Sequence, residues 1–268
     1  MNKINDFLSS IVILDTETSS FSIAEAEIIE IAFGVMDNGE WNTVAEQFKP
    51  CEGITAQAMS TSWITNEDVA DKEYYANNTE LTDSFLGSGA ILVAHNTTYD
   101  REVIINNHNM YQLYQHDSVL DKDNWICTLK LAKKLYRDDN FPEFKLGFLW
   151  FHLGLHKEST REIHAHRADS DIYMTGKLLE RIISDMIDKG ELDPTQEIGS
   201  QLIAYQNEPI FMNEFPFGKY KGTHPRNIPD DYYMWLLANS DSLNEDSRNY
   251  DMNLAHTVRV IMSERLGE

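Results

Sequence analysis

The segment Ile11-Val12-Ile13-Leu14-Asp15-Thr16-Glu17-Thr18 limits the fold more than any other stretch of the chain. Four apolar residues, all but one of them β-branched, make a buried strand, and that strand runs straight into two carboxylates at alternate positions. Side chains alternate along a strand, so Asp15 and Glu17 leave it on the same side. Like charges that emerge together from a core repel, which calls for positive charge between them. A divalent cation held by carboxylate oxygens meets that need. The competing reading is a strand end that dips into solvent and carries two acids, and later segments have to decide.

With 268 residues the chain has room for one large domain, or one domain and a small appendage. No apolar run approaches the roughly 20 residues of a membrane span, and the opening MNKINDFLSS lacks the apolar core of a secretory signal. A soluble cytoplasmic protein with no membrane partner is the expectation. Cys51 and Cys127 form no CxxC, which fits a reducing compartment and argues against structural zinc. The net charge of −22 counts against a nucleic-acid partner, because phosphate contacts usually need a basic surface. A site that meets phosphate through bound cations escapes that objection.

Residues 27–36 and 41–48 read as two further strands around the turn Asp37-Asn38-Gly39-Glu40, giving an antiparallel meander. A loop is expected over 50–65, a helical turn capped by Asn66 over 66–71, and a helix over 81–86 closed by Gly87. Ile91-Leu92-Val93-Ala94 is a short buried strand, broken by His95-Asn96 and followed by a helix over 99–108. Trp125-Ile126-Cys127-Thr128 enters a helix reaching 136. Its Lys130, Lys133 and Lys134, with Arg137, make the most basic stretch, either a solvated face or a phosphate track. A helix over 145–153 stops at Gly154, and a long helix over 166–188 places Ile172, Leu179, Ile183 and Met186 on one face. A meander followed by strand–helix units gives a mixed sheet flanked by helices, an α/β domain over 1–190. After a linker at about 191–204, residues 205–268 suffice for a small α+β domain. That domain would hold a β-rich piece at Phe215-Pro216-Phe217-Gly218-Lys219-Tyr220-Lys221-Gly222, a helix from Asp230 through Ala238, and a last helix over 253–265.

Two more segments bring acids and a histidine to the ends of apolar elements. One is His95-Asn96-Thr97-Thr98-Tyr99-Asp100, and the other is His164-Ala165-His166-Arg167-Ala168-Asp169-Ser170-Asp171 at the mouth of the long helix. With Asp15 and Glu17 they supply the carboxylates and the histidine of a two-metal phosphodiesterase, whose ions, roughly 3.5–4 Å apart, clamp the attacking and leaving oxygens. Hard cations take oxygen ligands, and a neutral histidine beside the attacking water serves as general base.

Asp15-Thr16-Glu17, the His95 to Asp100 string and His166-Arg167-Ala168-Asp169-Ser170-Asp171 resemble, in order, the three exonuclease motifs of the DEDDh, DnaQ-like superfamily. Trp125-Ile126-Cys127-Thr128-Leu129-Lys130-Leu131-Ala132 resembles a stretch of its exodeoxyribonuclease X branch. Phe217-Gly218-Lys219-Tyr220-Lys221-Gly222, followed by Tyr233-Met234-Trp235-Leu236, resembles that branch's C-terminal module. The resemblance implies a ribonuclease-H-like sheet and metal-dependent removal of nucleotides from DNA 3′ termini. It also implies Asp15, Glu17, Asp100 and Asp171 as ligands of two Mg²⁺ ions, with Mn²⁺ able to substitute, and His166 as the base. His164 and Asp169 repeat the spacing of His166 and Asp171, and the family's H-R-A string selects the latter pair.

Thr16, Thr18, Phe21, His95 and Asn96 are the expected substrate contacts. Phe21 stacks on a base or joins the core, while His95 and Asn96 touch the sugar–phosphate or only close their turn. Ser19 and Ser20 stand where the family commonly has a glycine, and Trp63, Tyr74 and Tyr75 read as core or loop packing. Lys219 and Lys221 suggest that the C-terminal module binds DNA or a protein partner. The other readings are an exoribonuclease of the same superfamily and a polymerase-associated proofreading or scaffold protein.

Overall fold

In the computed structural model, which describes residues 3–137, 139, 141–159, 161, 163, 168–245, 247 and 249–267, helix α1 (Lys3–Leu8) leads into strand β1 (Ile11–Thr18). Strand β2 (Ile28–Asp37) pairs antiparallel with β1, and β3 (Glu40–Gln47) pairs antiparallel with β2. The β2–β3 turn puts Asn38 and Gly39 at φ 52° and 82°. Two consecutive positive φ values match the right-handed twist of the strands, and Asn-Gly is the pair that adopts them most readily. Strands β4 (Ile91–Ala94) and β5 (Trp125–Cys127) add in parallel on the other side of β1, so the five strands run β3-β2-β1-β4-β5.

Helices cover both faces of this sheet. Between β3 and β4 lie α2 (Ala56–Ser62) and α3 (Glu80–Leu86), and between β4 and β5 lie α4 (Thr97–Met110) and α5 (Asp117–Leu120). After β5 come α6 (Thr128–Leu135), α7 (Leu146–His152), α8 (Ala168–Asp188) and α9 (Ile198–Asn207). Alternation along β1 divides the core in two. Ile11 and Ile13 join Ile172, Leu179, Ile183 and Met186 of α8, whereas Val12 and Leu14 join Val103 and Ile104 of α4.

Two glycines let α8 lie close to the meander. A Cβ at Gly34 on β2 would run into Ile172 Cγ2, and one at Gly176 on α8 would stand 2.5 Å from the Trp41 ring on β3. Both are places where only glycine leaves room for the neighbouring side chain. The indole of Trp41 is further fixed by its Nε1–H, which donates to Glu180 Oε1 at 2.7 Å.

Three expectations need correction. Residues 50–65 are not loop throughout, because Thr55 accepts a hydrogen bond from Ala58 N and opens α2. Asn66 caps no helical turn, since its Oδ1 accepts from Ile54 N at 2.8 Å and the following residues form only turns. The expected linker over 191–204 contains most of α9, opened by Glu197, which accepts from Gly199 N and Ser200 N. Ile198 and Leu202 are buried in the α8-side core, and the Gln206 amide completes the edge of β5. It accepts from Cys127 N at 2.8 Å and donates to Trp125 O at 2.6 Å.

The chain divides into two compact units, Met1–Gln206 and Asn207–Glu268. The second has its own core of Phe215, Ile228, Tyr233, Leu236, Leu254, Val258 and Ile261, built on α10 (Asp230–Asn239) and α11 (Met252–Leu266). It is helical rather than α+β, with no strand among its described residues. The expected β-rich piece curls, because Gly218 and Gly222 sit at φ 66° and 78°. Backbone bonds from Phe215 N to Thr223 O and from Gly222 N to Phe215 O close it into a loop.

Candidate active site

Because Asp15 and Glu17 continue the alternation of Ile11 and Ile13, their carboxylates leave β1 on the α8 side of the sheet. Asp171, on the first turn of α8 and next to the buried Ile172, meets them there. One oxygen from each of Asp15, Glu17 and Asp171 lies within 4.8 Å of the other two. Asp169, the alternative in the shifted register, is exposed and outside this cluster. His166 and His164 lie outside the described residues.

Asp100 comes from the other face. Thr16 points toward α4, and Asp100 Oδ1 accepts from Thr16 N at 3.1 Å and from Thr16 Oγ1 at 2.9 Å. It is not one of the three clustered acids, yet its charge acts on Glu17, and the charge of Asp15 acts on it. Glu30 on β2 is a further carboxylate. It stands opposite Glu17 in the antiparallel register, is 4% exposed, and accepts from Gln47 Nε2 at 2.9 Å.

Burial and mutual repulsion disfavour bare negative charge here, and only the hydrogen bonds that Asp100 accepts work the other way. Burial, then the charge of Glu30, pushes Asp15 up to about 7. Burial followed by Asp15, Asp171, Glu30 and Asp100 pushes Glu17 up to about 9. Asp171 rises to about 8 through burial and its acidic neighbours, and Asp100 is held well above the carboxylate range mainly by burial. No lysine, arginine or histidine forms an ion pair with these four acids among the described residues. Converging hard oxygen donors, partly desolvated and without a counter-charge among the described residues, fit divalent cations.

The remaining sequence-predicted contacts divide. Thr16 spends its polar atoms on Asp100, and Thr18 Oγ1 donates to Ser20 O and meets Tyr99 Oη at 2.6 Å. His95 closes its turn. Its Nδ1 contacts Thr128 Oγ1 at 3.0 Å and its Nε2 contacts Phe144 O at 2.9 Å, which leaves neither ring nitrogen for a substrate. Burial pushes its pKa down to about 4, so the ring is neutral. Asn96 is exposed and left-handed at φ 85°, and Phe21 is 47% exposed and therefore not core. Trp63, at φ 57° and 73% exposed, is not core either, whereas Tyr75 is. Sequence reasoning passed over Glu30, although an acid interrupting Ile28-Ile29-Glu30-Ile31 was the available signal.

The exonuclease family model RNase_T matches residues 12–179, from the acid-bearing strand through most of α8. The chain belongs to the exonuclease family. As a member it is a nuclease, a hydrolase of phosphodiester bonds, on the mixed, ribonuclease-H-like sheet described above. Among curated relatives, Exodeoxyribonuclease 10 of Escherichia coli strain K12 is 28% identical over 240 residues, covering 88% of this chain and 94% of that protein. The PolC-type DNA polymerase III of Streptococcus thermophilus is 28% identical over 200 residues, which are 72% of this chain but 12% of the polymerase. Among solved structures, Exonuclease X in complex with 5′ overhanging duplex DNA aligns at TM-score 0.53 and 27% identity, covering 74% of this chain and 99% of that one. E. coli Exonuclease I in complex with a dT13 oligonucleotide aligns at TM-score 0.54 and 18% identity, over 67% of this chain and 42% of that one, a likeness of fold. Within the exonuclease family, the acids on β1 and α8 therefore lie inside the matched region, and Asn207–Glu268 lies beyond it.

Proposed function

We propose that this exonuclease removes nucleotides one at a time from DNA 3′ termini, in the cytoplasm, with two Mg²⁺ ions for which Mn²⁺ substitutes. The observation that carries the reading is the meeting of half-buried Asp15, Glu17 and Asp171 within 4.8 Å, with no protein cation paired to them among the described residues. The DNA named for Exonuclease X, and the name Exodeoxyribonuclease 10, favour DNA as the substrate. The two free cysteines agree with a reducing compartment. No helix among the described residues is long and apolar enough to cross a membrane.

Asp15, Glu17 and Asp171 would hold the cations, with Asp100 completing the set from the α4 side. When bound, the cations supply Lewis-acid charge for the attacking and leaving oxygens of an in-line displacement. Thr16 holds Asp100 Oδ1 through two hydrogen bonds, so less side-chain freedom is lost when the carboxylate meets a cation. His166, from its motif, takes the proton of the attacking water at an imidazole nitrogen. Phe21 and Asn96, both exposed beside the acid-bearing elements, are the candidates for contact with the terminal nucleotide.

Strands labelled separately at the 3′ and the 5′ end, in matched DNA and RNA versions, test this reading with Mg²⁺, with Mn²⁺ and with EDTA. Mononucleotides released from DNA 3′ ends only with metal support it. Faster degradation of the RNA strand, release from 5′ ends, or undiminished cleavage in EDTA contradicts it.

A further inference from the structure

The unit Asn207–Glu268 carries a surface that the exonuclease chemistry does not use. Residues 217–226 contain Lys219, Lys221 and Arg226 and no carboxylate, in a chain of net charge −22. Arg226 is committed to Glu264, and Arg265 to Asp230. Lys219 and Lys221 are exposed and have no ion-pair partner among the described residues.

Aromatic rings run on from these lysines. Lys219 Nζ lies 5.0 Å over the Tyr220 ring, Tyr220 meets Tyr232 edge to face at 4.7 Å, and Tyr232 lies nearly parallel to Trp235 at 5.7 Å. Trp235 keeps 53% of its surface in solvent while Tyr233 and Leu236, on the other side of α10, fill the core. The arrangement is held from behind. Tyr232 packs on the buried Phe215 at 5.7 Å, and a Cβ on Gly218 would stand 3.0 Å from the Tyr232 hydroxyl. Glycine at φ 66° is therefore what lets the basic loop lie against the rings.

We propose that Lys219, Tyr220, Lys221, Tyr232 and Trp235 form a binding platform for single-stranded nucleic acid, with Trp235 stacking on a base and the two lysines meeting its phosphates. Charge complementarity selects this occupant. An apolar partner helix would cover Trp235 but strand two lysines without counter-charge, whereas a single strand offers flat apolar faces and anions together. A duplex keeps its base faces stacked inside and offers only the anions. Asp231 lies one helical turn from Trp235, which assigns the phosphates to the Lys219–Lys221 side of the rings. That the strand is DNA rests on the function proposed above, and the platform itself does not.

The test is fluorescence anisotropy of a 5′-labelled oligothymidylate of about 20 nucleotides against the whole chain in EDTA, where uncompensated acids make the catalytic unit a poor anion site. Trp235→Ala combined with Tyr220→Ala is expected to weaken binding about tenfold or more. Lys219→Gln combined with Lys221→Gln is expected to reduce the slope of log K against log salt by about 1.4, roughly 0.7 for each phosphate that a lysine no longer neutralises. Trp235→Phe keeps a ring and should retain affinity within about threefold, which separates stacking from a folding defect monitored by circular dichroism. Unchanged affinity and slope in both folded double variants would overturn the platform, and so would a duplex that competes as well as the single strand. A chain that binds oligothymidylate through Trp235 yet releases no nucleotides with Mg²⁺ retains the platform and refutes the exonuclease reading. Degradation with unchanged binding in the variants does the reverse.

Discussion

Glu30 on β2 stands opposite Glu17 on β1, so a buried carboxylate faces one of the acids proposed to hold metal. The consequence is a folded state that resists deprotonation. Burial and mutual repulsion raise Asp15, Glu17 and Asp171 to about 7, 9 and 8, all above the values they take when the chain unfolds. The folded state binds more protons than the unfolded one, so stability is fully present below pH of about 4 and is lost as pH rises through about 7 to 9. The metal-free protein should therefore melt at progressively lower temperature from pH 5 to pH 9, read by circular dichroism. Added Mg²⁺ or Mn²⁺ at about 100 times its dissociation constant should raise the pH 8 melting temperature by roughly 5–10 °C, and have little effect at pH 5. A metal-independent melting temperature at pH 8 would contradict this.

Asp171 and Asp169 sit two residues apart on α8 and differ in direction. Replacing Asp171 with Asn should reduce kcat by about 10²–10³-fold or more, in the range seen when transition-state charge stabilisation is lost. Asp169→Asn, at an exposed position outside the cluster, should stay within about threefold of the parent chain. Equal losses in the two variants would place the wrong acid in the site.

His95 is expected to act on stability rather than on substrate. Its ring joins the end of β4 to Thr128 at the start of α6 and to the Phe144 carbonyl. His95→Ala takes the ring partner from the Phe144 carbonyl and leaves Thr128 Oγ1 with only its 3.4 Å bond to Ala94 O, and should cost about 1–3 kcal/mol in denaturant unfolding. KM for an oligonucleotide should be unchanged at temperatures where the variant is folded. A raised KM with unchanged stability would return His95 to the substrate.

Gly34 sets how close α8 comes to β2, and Ile172, the residue that fills that space, adjoins Asp171. Gly34→Ala forces the helix or the strand to move, an overpacking cost of about 1–3 kcal/mol. Because the carboxylates must converge on cations, activity should fall about tenfold or more while the variant remains folded. Measuring kcat alongside the unfolding midpoint separates the two effects, and a stability loss with full kcat would show that α8 docking is not what aims Asp171.

The sheet was legible because its signals are local. Alternation in residues 11–18, the Asn38-Gly39 turn and the apolar run at 91–94 each define their element without help from the rest of the chain. The α9 helix was not legible, because Ile198 and Leu202 give only a short apolar pattern that acquires meaning by packing on α8. His95 shows the same limit at the site. The sequence places it beside the motif acids, but Thr128 and Phe144, distant in the chain, decide that it is a brace. Glu30 lay between the two cases, since an acid interrupting an apolar strand is a local signal, whereas its place opposite Glu17 depends on a β1–β2 register that no tight turn sets.

The most direct test of the metal-site reading is the anomalous scattering of Mn²⁺ in crystals of the full chain grown near pH 8. The account predicts Mn²⁺ between the carboxylates of Asp15, Glu17 and Asp171, with Asp100 facing it and occupancy lost in Asp15→Asn. Mn²⁺ bound only elsewhere, with these carboxylates bonded to one another through shared protons, would contradict it.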